Sequence, residues 1–469
     1  MTRFRCLFIA LIGICLYSAL LTAQPNPVYL KTSKEIVKSA LQERRGYQLL
    51  GELCQLGPRL SGSPTSLKAI DWAKSTMERM GLDRIILQPV KVPRWVRGEV
   101  EAATIVSSTR VNWRPLRVAA LGGSVGTPPE GITAPVIEVQ NFEELKSLGE
   151  RVKGKIVFFN RPFPRDVVTT FRGYGMTVDQ RVHGASEAAR LGAVAVLVRS
   201  VTTSEDNVPH VGGMRYAKDV PKIPAAAIGI QDADYLSELL KEDPELTVNI
   251  QLGCENQGEV WSYNVIGDLL GSEYPEEYVV VAGHFDSWDK GQGAHDDGGG
   301  CLQALEVLDI FKRLNIKPRR TIRCIFYINE ENGIRGALAY AKMADSLGLK
   351  HVAAIESDRG CFTPRGFSVT ADSVVIERIA GWLPYLRQAG IEWVRPGGSG
   401  VDVAQIKKIT ALIGYVPDSQ RYFDFHHSEK DVYEAVNPRE FELGAAAMSI
   451  LTYLISEEGL ANSPTHSTH

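Results

Sequence analysis

The stretch from Glu277 to Ile355 constrains the fold more than any other part of this chain. Its apolar residues alternate between short unbroken runs and helical spacing. They give a buried strand over 277–282, a helix over 301–314, a strand over 321–328, a helix over 337–347 and a strand over 352–355. That βαβαβ order predicts an α/β fold in which a mixed β-sheet is flanked by helices on both faces. Residues 411–416 add one more strand, and a helix over 438–455 closes the pattern.

Ligands of open α/β sheets bind at the carboxyl ends of the strands, so the residues just beyond each strand carry the functional information. After the first strand come His284-Phe285-Asp286 and then Ala294-His295-Asp296-Asp297-Gly298. After the second come Glu330-Glu331, after the third Ser357-Asp358, and downstream lies Phe425-His426-His427-Ser428-Glu429-Lys430-Asp431. Singly, each cluster has a plain structural reading: a turn, a wet helix face or a hydrogen-bonded histidine. Four such clusters at successive strand ends point instead to one metal site. Histidine and carboxylate without cysteine suit zinc, and the excess of carboxylates suits two ions sharing a bridging Asp. Paired ions bring the pKa of bound water to about 7, which is hydrolase chemistry. Adjacent glutamates face opposite ways within a strand, so Glu330 and Glu331 serve one site as base and ligand only if the strand has already ended.

The rest of the chain supplies context. Its 469 residues suffice for two or three folded units at about 100–200 residues each. Arg3 and Arg5 precede an apolar run from Cys6 to Leu21, and Ser18, Ala19 and Ala23 lead into Gln24-Pro25. Residues 1–23 therefore read as a signal peptide, and the protein is expected to be secreted or periplasmic, with no stable membrane anchor after cleavage. Cys54, Cys254, Cys301, Cys324 and Cys361 follow that segment, odd in number and without CxxC spacing, and read as small buried hydrophobes. A net charge of −3 excludes a global positive field for nucleic acid. Thr32-Ser33 can cap a helix running from Lys34 to Leu56, and residues 63–80 predict a second helix. Residues 83–108 read as strands. From Arg117 to Gly253, short strands separated by Gly and Pro, with one clear helix near 185–191, predict a β-rich intervening domain.

The strand-end motifs resemble those of the co-catalytic zinc exopeptidases, a family that includes bacterial leucyl aminopeptidases. They are Gly283-His284-Phe285-Asp286-Ser287-Trp288-Asp289, Gly291 to Gly300, Glu330-Glu331, Glu356-Ser357-Asp358 and Phe425-His426-His427-Ser428. Gly126 to Ala134 and Val220-Pro221-Lys222-Ile223-Pro224 resemble an inserted protease-associated domain. The resemblance implies a zinc exopeptidase fold divided into 24–116 (peptidase domain, first part), 117–253 (protease-associated domain) and 254–469 (second part, with the metal site). It implies two zinc ions. Asp296 would bridge them, Glu331 and His427 would complete one, and His284 and Asp358 the other. Glu330 would be the general base and Asp286 the carboxylate that orients His284. His427 is preferred over His426 because Ser428 and Asp431 follow it as the family pattern requires. His295 stands where the nearest relatives have Met and would be an extra titrating group. Arg359 reads either as a surface salt bridge or as a partner for a substrate carboxylate. The implied activity is hydrolysis of small peptides, dipeptides with free termini above all. An aminopeptidase acting on longer peptides, a one-zinc glutaminyl cyclase and a non-catalytic binding protein of the same fold are the alternatives. The intervening domain would roof the cleft or build a homodimer interface.

Overall fold

The computed structural model describes residues 25–460. The expected signal segment 1–23 lies outside the described residues. Two eight-stranded sheets organise the fold. In spatial order the first comprises Arg84–Val96, Glu255–Leu269, Arg320–Tyr327, Tyr274–His284, Lys350–Glu356, Ile409–Pro417, Pro364–Thr370 and Trp393–Pro396. Its four middle strands, from Arg320–Tyr327 to Ile409–Pro417, run parallel. Alternation along the central strand explains why this sheet is covered twice. Val279 and Val281 enter one core with Leu305, Leu308, Ile450 and Leu454, and Val280 and Ala282 enter another with Ala337 and Tyr340. The helices Gly299–Arg313 and Pro438–Glu458 thus cover one face, and Arg335–Leu347 covers the other.

After Tyr274–His284 the chain adds Arg320–Tyr327 on one side of it and Lys350–Glu356 on the other. That reversal opens a crevice at the carboxyl end of the central strand, the usual ligand position in such sheets. The parallel sheet, its connecting helices and the closing helix agree with the βαβαβ reading within a few residues.

The second sheet runs Arg114–Leu116, Glu101–Ser107, Thr247–Leu252, Ile132–Val139, Ile156–Phe159, Ala195–Arg199, Ala225–Ile228 and Val118–Ala120. It begins at Glu101, before the expected boundary at 117, because Glu101–Ser107 pairs antiparallel with Thr247–Leu252. A partner so distant in sequence leaves no local signal. The chain leaves the first sheet on Arg84–Val96 and returns on the antiparallel neighbour Glu255–Leu269, so two adjacent strands form the stalk.

Other differences have local causes. Among the described residues of this unit there are four α-helices (Phe142–Leu148, Thr170–Gly175, Asp179–Arg190 and Ile230–Glu242) where one was expected. Ile230–Glu242 follows Gly229, which offers no side-chain cap, and Thr170–Gly175 contains two glycines that weaken its pattern. Near the start, the helix begins at Pro27, capped by Asn26, and breaks at Arg44, whose φ is 51°. The Thr32-Ser33 signal therefore sits inside a helix, where Ser33 donates to the Tyr29 carbonyl.

Candidate metal centre

His284 ends the central strand, and its Nε2 stands 3.1 Å from Oδ1 of Asp296 and 3.5 Å from Oδ1 of Asp358. On the far side of Asp296, its Oδ2 stands 3.2 Å from Nε2 of His427, which is itself 3.0 Å from Oε2 of Glu331. Asp296 is thus common to two groups of three, the arrangement expected of a bridging ligand. His426 also approaches, with Nε2 3.8 Å from the same oxygen of Asp296, and its ring stacks on His427 at 3.5 Å between centroids. Glu330 lies on the other flank, Oε2 4.0 Å from Nε2 of His284. The strand ends at Tyr327, so Glu330 and Glu331 occupy irregular backbone and both carboxylates reach the cluster.

Buried groups that sequence reasoning missed fix these loops. Asp431, noted only as a motif companion, accepts the backbone N–H of His295 at 2.7 Å and of Asp296 at 3.1 Å. Asp297 accepts the amides of His284 and Gly300, both at 3.0 Å. The helix reaches this close because a Cβ on Gly300 would lie 1.9 Å from the Ser357 carbonyl oxygen. Arg59, fully buried, donates to the carbonyls of Phe285, Gln292 and Gly293. It comes from the Gly57-Pro58-Arg59-Leu60 turn, far from every motif, and only its charge beside a hydrophobic helix could have drawn notice.

Two expectations are adjusted by the geometry. Nδ1 of His284 donates to the backbone carbonyl of Asp286 at 3.0 Å, while the nearer carboxylate oxygen is 4.0 Å away. That carboxylate accepts the Glu330 amide at 3.0 Å instead, so Asp286 positions the loop carrying the two glutamates. His295 is no extra titrating group at the cluster: its ring packs against both Phe362 and Phe425, and Nδ1 accepts the Cys361 amide. Burial pulls its pKa down to about 4, so it stays neutral. Arg359 stacks over the ring of Phe171 at 5.2 Å.

The charge pattern tests whether cations fit. Burial and the neighbouring Asp358, Glu331 and Asp286 push Glu330 well above the usual carboxylate range, and burial with Asp296 pushes Glu331 up as well. Burial opposes charge on both imidazoles, yet the carboxylates around them overcome it: His284 rises well above its ordinary value and His427 to about 10. Oδ2 of Asp296 and Oε1 of Glu331 are buried without a hydrogen-bond partner. A buried excess of negative charge with unpartnered carboxylate oxygens is what divalent cations neutralise. The donor set of two imidazoles and three carboxylates fits zinc.

The cluster opens into a cleft of about 840 Å³ lined by residues of both sheets' units, Phe171, Tyr174 and Arg181 from one and Glu330, Asp358 and Tyr422 from the other. All five described cysteines are free and buried, as the sequence predicts. Among the described residues no helix is long and apolar enough to cross a membrane.

Known proteins resemble this chain in sequence and in fold. Residues 264–449 match the family model of Peptidase family M28. The chain is 35% identical over 420 residues to carboxypeptidase Q of Bos taurus, a match that covers 88% of this chain and 86% of the relative. A crystal structure of a Peptidase M28 precursor from Shewanella amazonensis SB2B superposes with a TM-score of 0.88 at 32% identity, covering 93% of this chain and 99% of that one. The zinc aminopeptidase of Bacillus subtilis shares the fold at 20% identity and a TM-score of 0.64, over 89% of this chain and 96% of the other. These likenesses and the site make the protein a metallopeptidase. The chain belongs to peptidase family M28, and carboxypeptidase Q is among the relatives to which it is similar over most of its length.

Proposed function

We propose that this protein is an exported di-zinc exopeptidase that hydrolyses small peptides, dipeptides with free termini above all. The observation that carries the reading is the sharing of Asp296 between His284 with Asp358 on one side and His427 with Glu331 on the other. Asp296 is read as the bridging ligand and the other four as the terminal ligands of the two ions. Zinc, when bound, supplies Lewis-acid polarisation of the scissile carbonyl and activation of water. Glu330 is the proton carrier: its carboxylate stands beside the cluster without belonging to either group of three. Burial and its acidic neighbours raise its affinity for a proton, as a base that must hand that proton to a leaving amine requires. Asp286 holds the Glu330 amide and so aims that carboxylate. The unit built on the second sheet is read as the inserted protease-associated domain, which walls one side of the cleft. The signal-like segment 1–23 supports export.

The test is a panel of dipeptides, their blocked analogues and longer peptides, assayed with and without a chelator, alongside a metal-to-protein ratio. Chelator-sensitive cleavage confined to free dipeptides, with a ratio near two, is the expected result. Release of N-terminal residues from long peptides at comparable kcat/KM would establish the aminopeptidase reading instead, and a ratio near one would remove the paired-ion site.

A further inference from the structure

The loop that carries His427 is held from outside the first sheet. Val211, in the unit built on the second sheet, donates its N–H to the His427 carbonyl at 2.9 Å. His210, 2% exposed, stands with Nδ1 2.7 Å from the His426 carbonyl, and because a carbonyl only accepts, Nδ1 carries the proton. The ring of His427 is served from the same place. Its Nδ1 lies 3.3 Å from the Val211 carbonyl oxygen, which can only accept, with Arg181 Nη1 3.4 Å from the same nitrogen, so Nδ1 is engaged here and Nε2 is the nitrogen directed at Asp296 and Glu331, available to an ion when one is bound. Arg181 donates Nη1 to the same Val211 oxygen at 3.3 Å and Nη2 to the Tyr174 hydroxyl at 2.6 Å.

The backbone explains why such a grip is needed. His427 has a φ of 61°, a left-handed conformation that a residue with a Cβ adopts only under outside restraint. The gripping segment is itself anchored: Gly122 donates to the Gly212 carbonyl and accepts from Met214, both at 2.9 Å. Gly212 has a φ of 129°, and a Cβ there would lie 2.5 Å from both His427 Nδ1 and Arg181 Cζ. No side chain larger than hydrogen fits between the grip and the ring.

We propose that the second-sheet unit is a working part of the metal centre: the Val211 carbonyl, held by Arg181 and seated by His210, fixes the tautomer and direction of His427. His210 and Arg181 are then positioning residues for one ion of the pair. The inference rests on the two-ion reading above, and it makes the inserted unit necessary for the ion at His427 but not for the ion at His284.

The test titrates zinc into metal-free full-length protein against a chromophoric chelator, for the wild type, His210→Ala, His210→Asn and Gly212→Ala. Circular dichroism and the Tm of each metal-free protein check folding. His210→Ala and Gly212→Ala are expected to weaken one of two zinc ions by about 10–100-fold, the usual cost of removing a group that orients a ligating histidine, and to leave the other unchanged. His210→Asn, whose side-chain amide nitrogen can replace Nδ1 as donor, is expected to restore the affinity. Wild-type affinity for both ions in both disruptive variants overturns the inference, as does equal weakening of the two. A wild type that binds no zinc overturns the metal reading itself, an outcome distinct from either.

Discussion

Asp296 can serve two partners only because its backbone has no freedom to turn. Asp431 holds the amides of His295 and Asp296, and Asp297 ties the next residue to the strand end at His284 and to the helix at Gly300. The carboxylate is thereby set between the His284 and His427 imidazoles, whose attraction overcomes burial and holds Asp296 well below the usual carboxylate range. Glu330 differs: it sits at the edge of the cluster, with 18% of its side chain exposed to the cleft. Replacing it with Gln keeps the volume and removes the proposed proton carrier. Glu330→Gln should retain the two proposed ions by metal analysis and lose about 10²–10⁴-fold in kcat. A metal-loaded variant that still turns over would refute the role. His284, Glu330, Glu331 and Asp358 were legible because each stands at or just beyond the end of a strand. Asp431 and Arg59 act on main-chain groups brought together only by folding, and no spacing within one segment encodes such a contact.

At the scale of elements, the helices Gly299–Arg313 and Pro438–Glu458 pack against each other with two carboxyl groups buried between them. Glu306 is paired with Arg313 at 2.5 Å, Glu442 accepts the Tyr47 amide at 3.0 Å, and each keeps one oxygen without a partner. Burial pushes Glu442 up to about 7, and burial with Glu442 as neighbour raises Glu306 further. A carboxyl raised in the folded state holds its proton there while the unfolded chain releases it. The stability that Glu442 contributes is therefore full below about 4.5 and is lost as pH rises through about 7. Glu442→Gln keeps the acceptor for Tyr47 and cannot ionise. It should raise Tm by a few degrees at pH 8 and leave it nearly unchanged at about pH 4.5, as read by differential scanning calorimetry. An equal shift at both pH values would show that ionisation is not the cause. The periodic pattern announced both helices, since a long apolar stripe survives any tertiary context. It missed Glu255–Leu269, whose first residues are polar and exposed, because that strand is defined by its pairing with Arg84–Val96.

For the whole molecule, the sequence divides where motifs divide, but the physical joint lies elsewhere. Arg97 sits at the exit of the stalk, 8% exposed, and binds Asp289 of the metal-motif loop at 2.5 Å, Glu101 at 2.8 Å and the Ala120 carbonyl at 2.6 Å. Lys290 reaches the same Glu101 at 2.9 Å. Beside this knot, the ring of Trp288 fills a notch where a Cβ on Gly122 would lie 1.7 Å from it. The two sheets therefore share charged and aromatic contacts at the same place where the metal-motif loop turns. Such a joint couples their unfolding, so the wild type should melt in one calorimetric transition despite having two sheets and separate cores. Arg97→Ala leaves Asp289 and Glu101 largely buried with Lys290 alone opposite, at a cost of about 3–5 kcal/mol, the usual loss when one partner of a buried pair is removed. The expected result is a split into two transitions, the lower one carrying the second-sheet unit, and loss of the ion at His427 as that unit melts. A single transition at the wild-type temperature would mean that the stalk strands alone join the two halves.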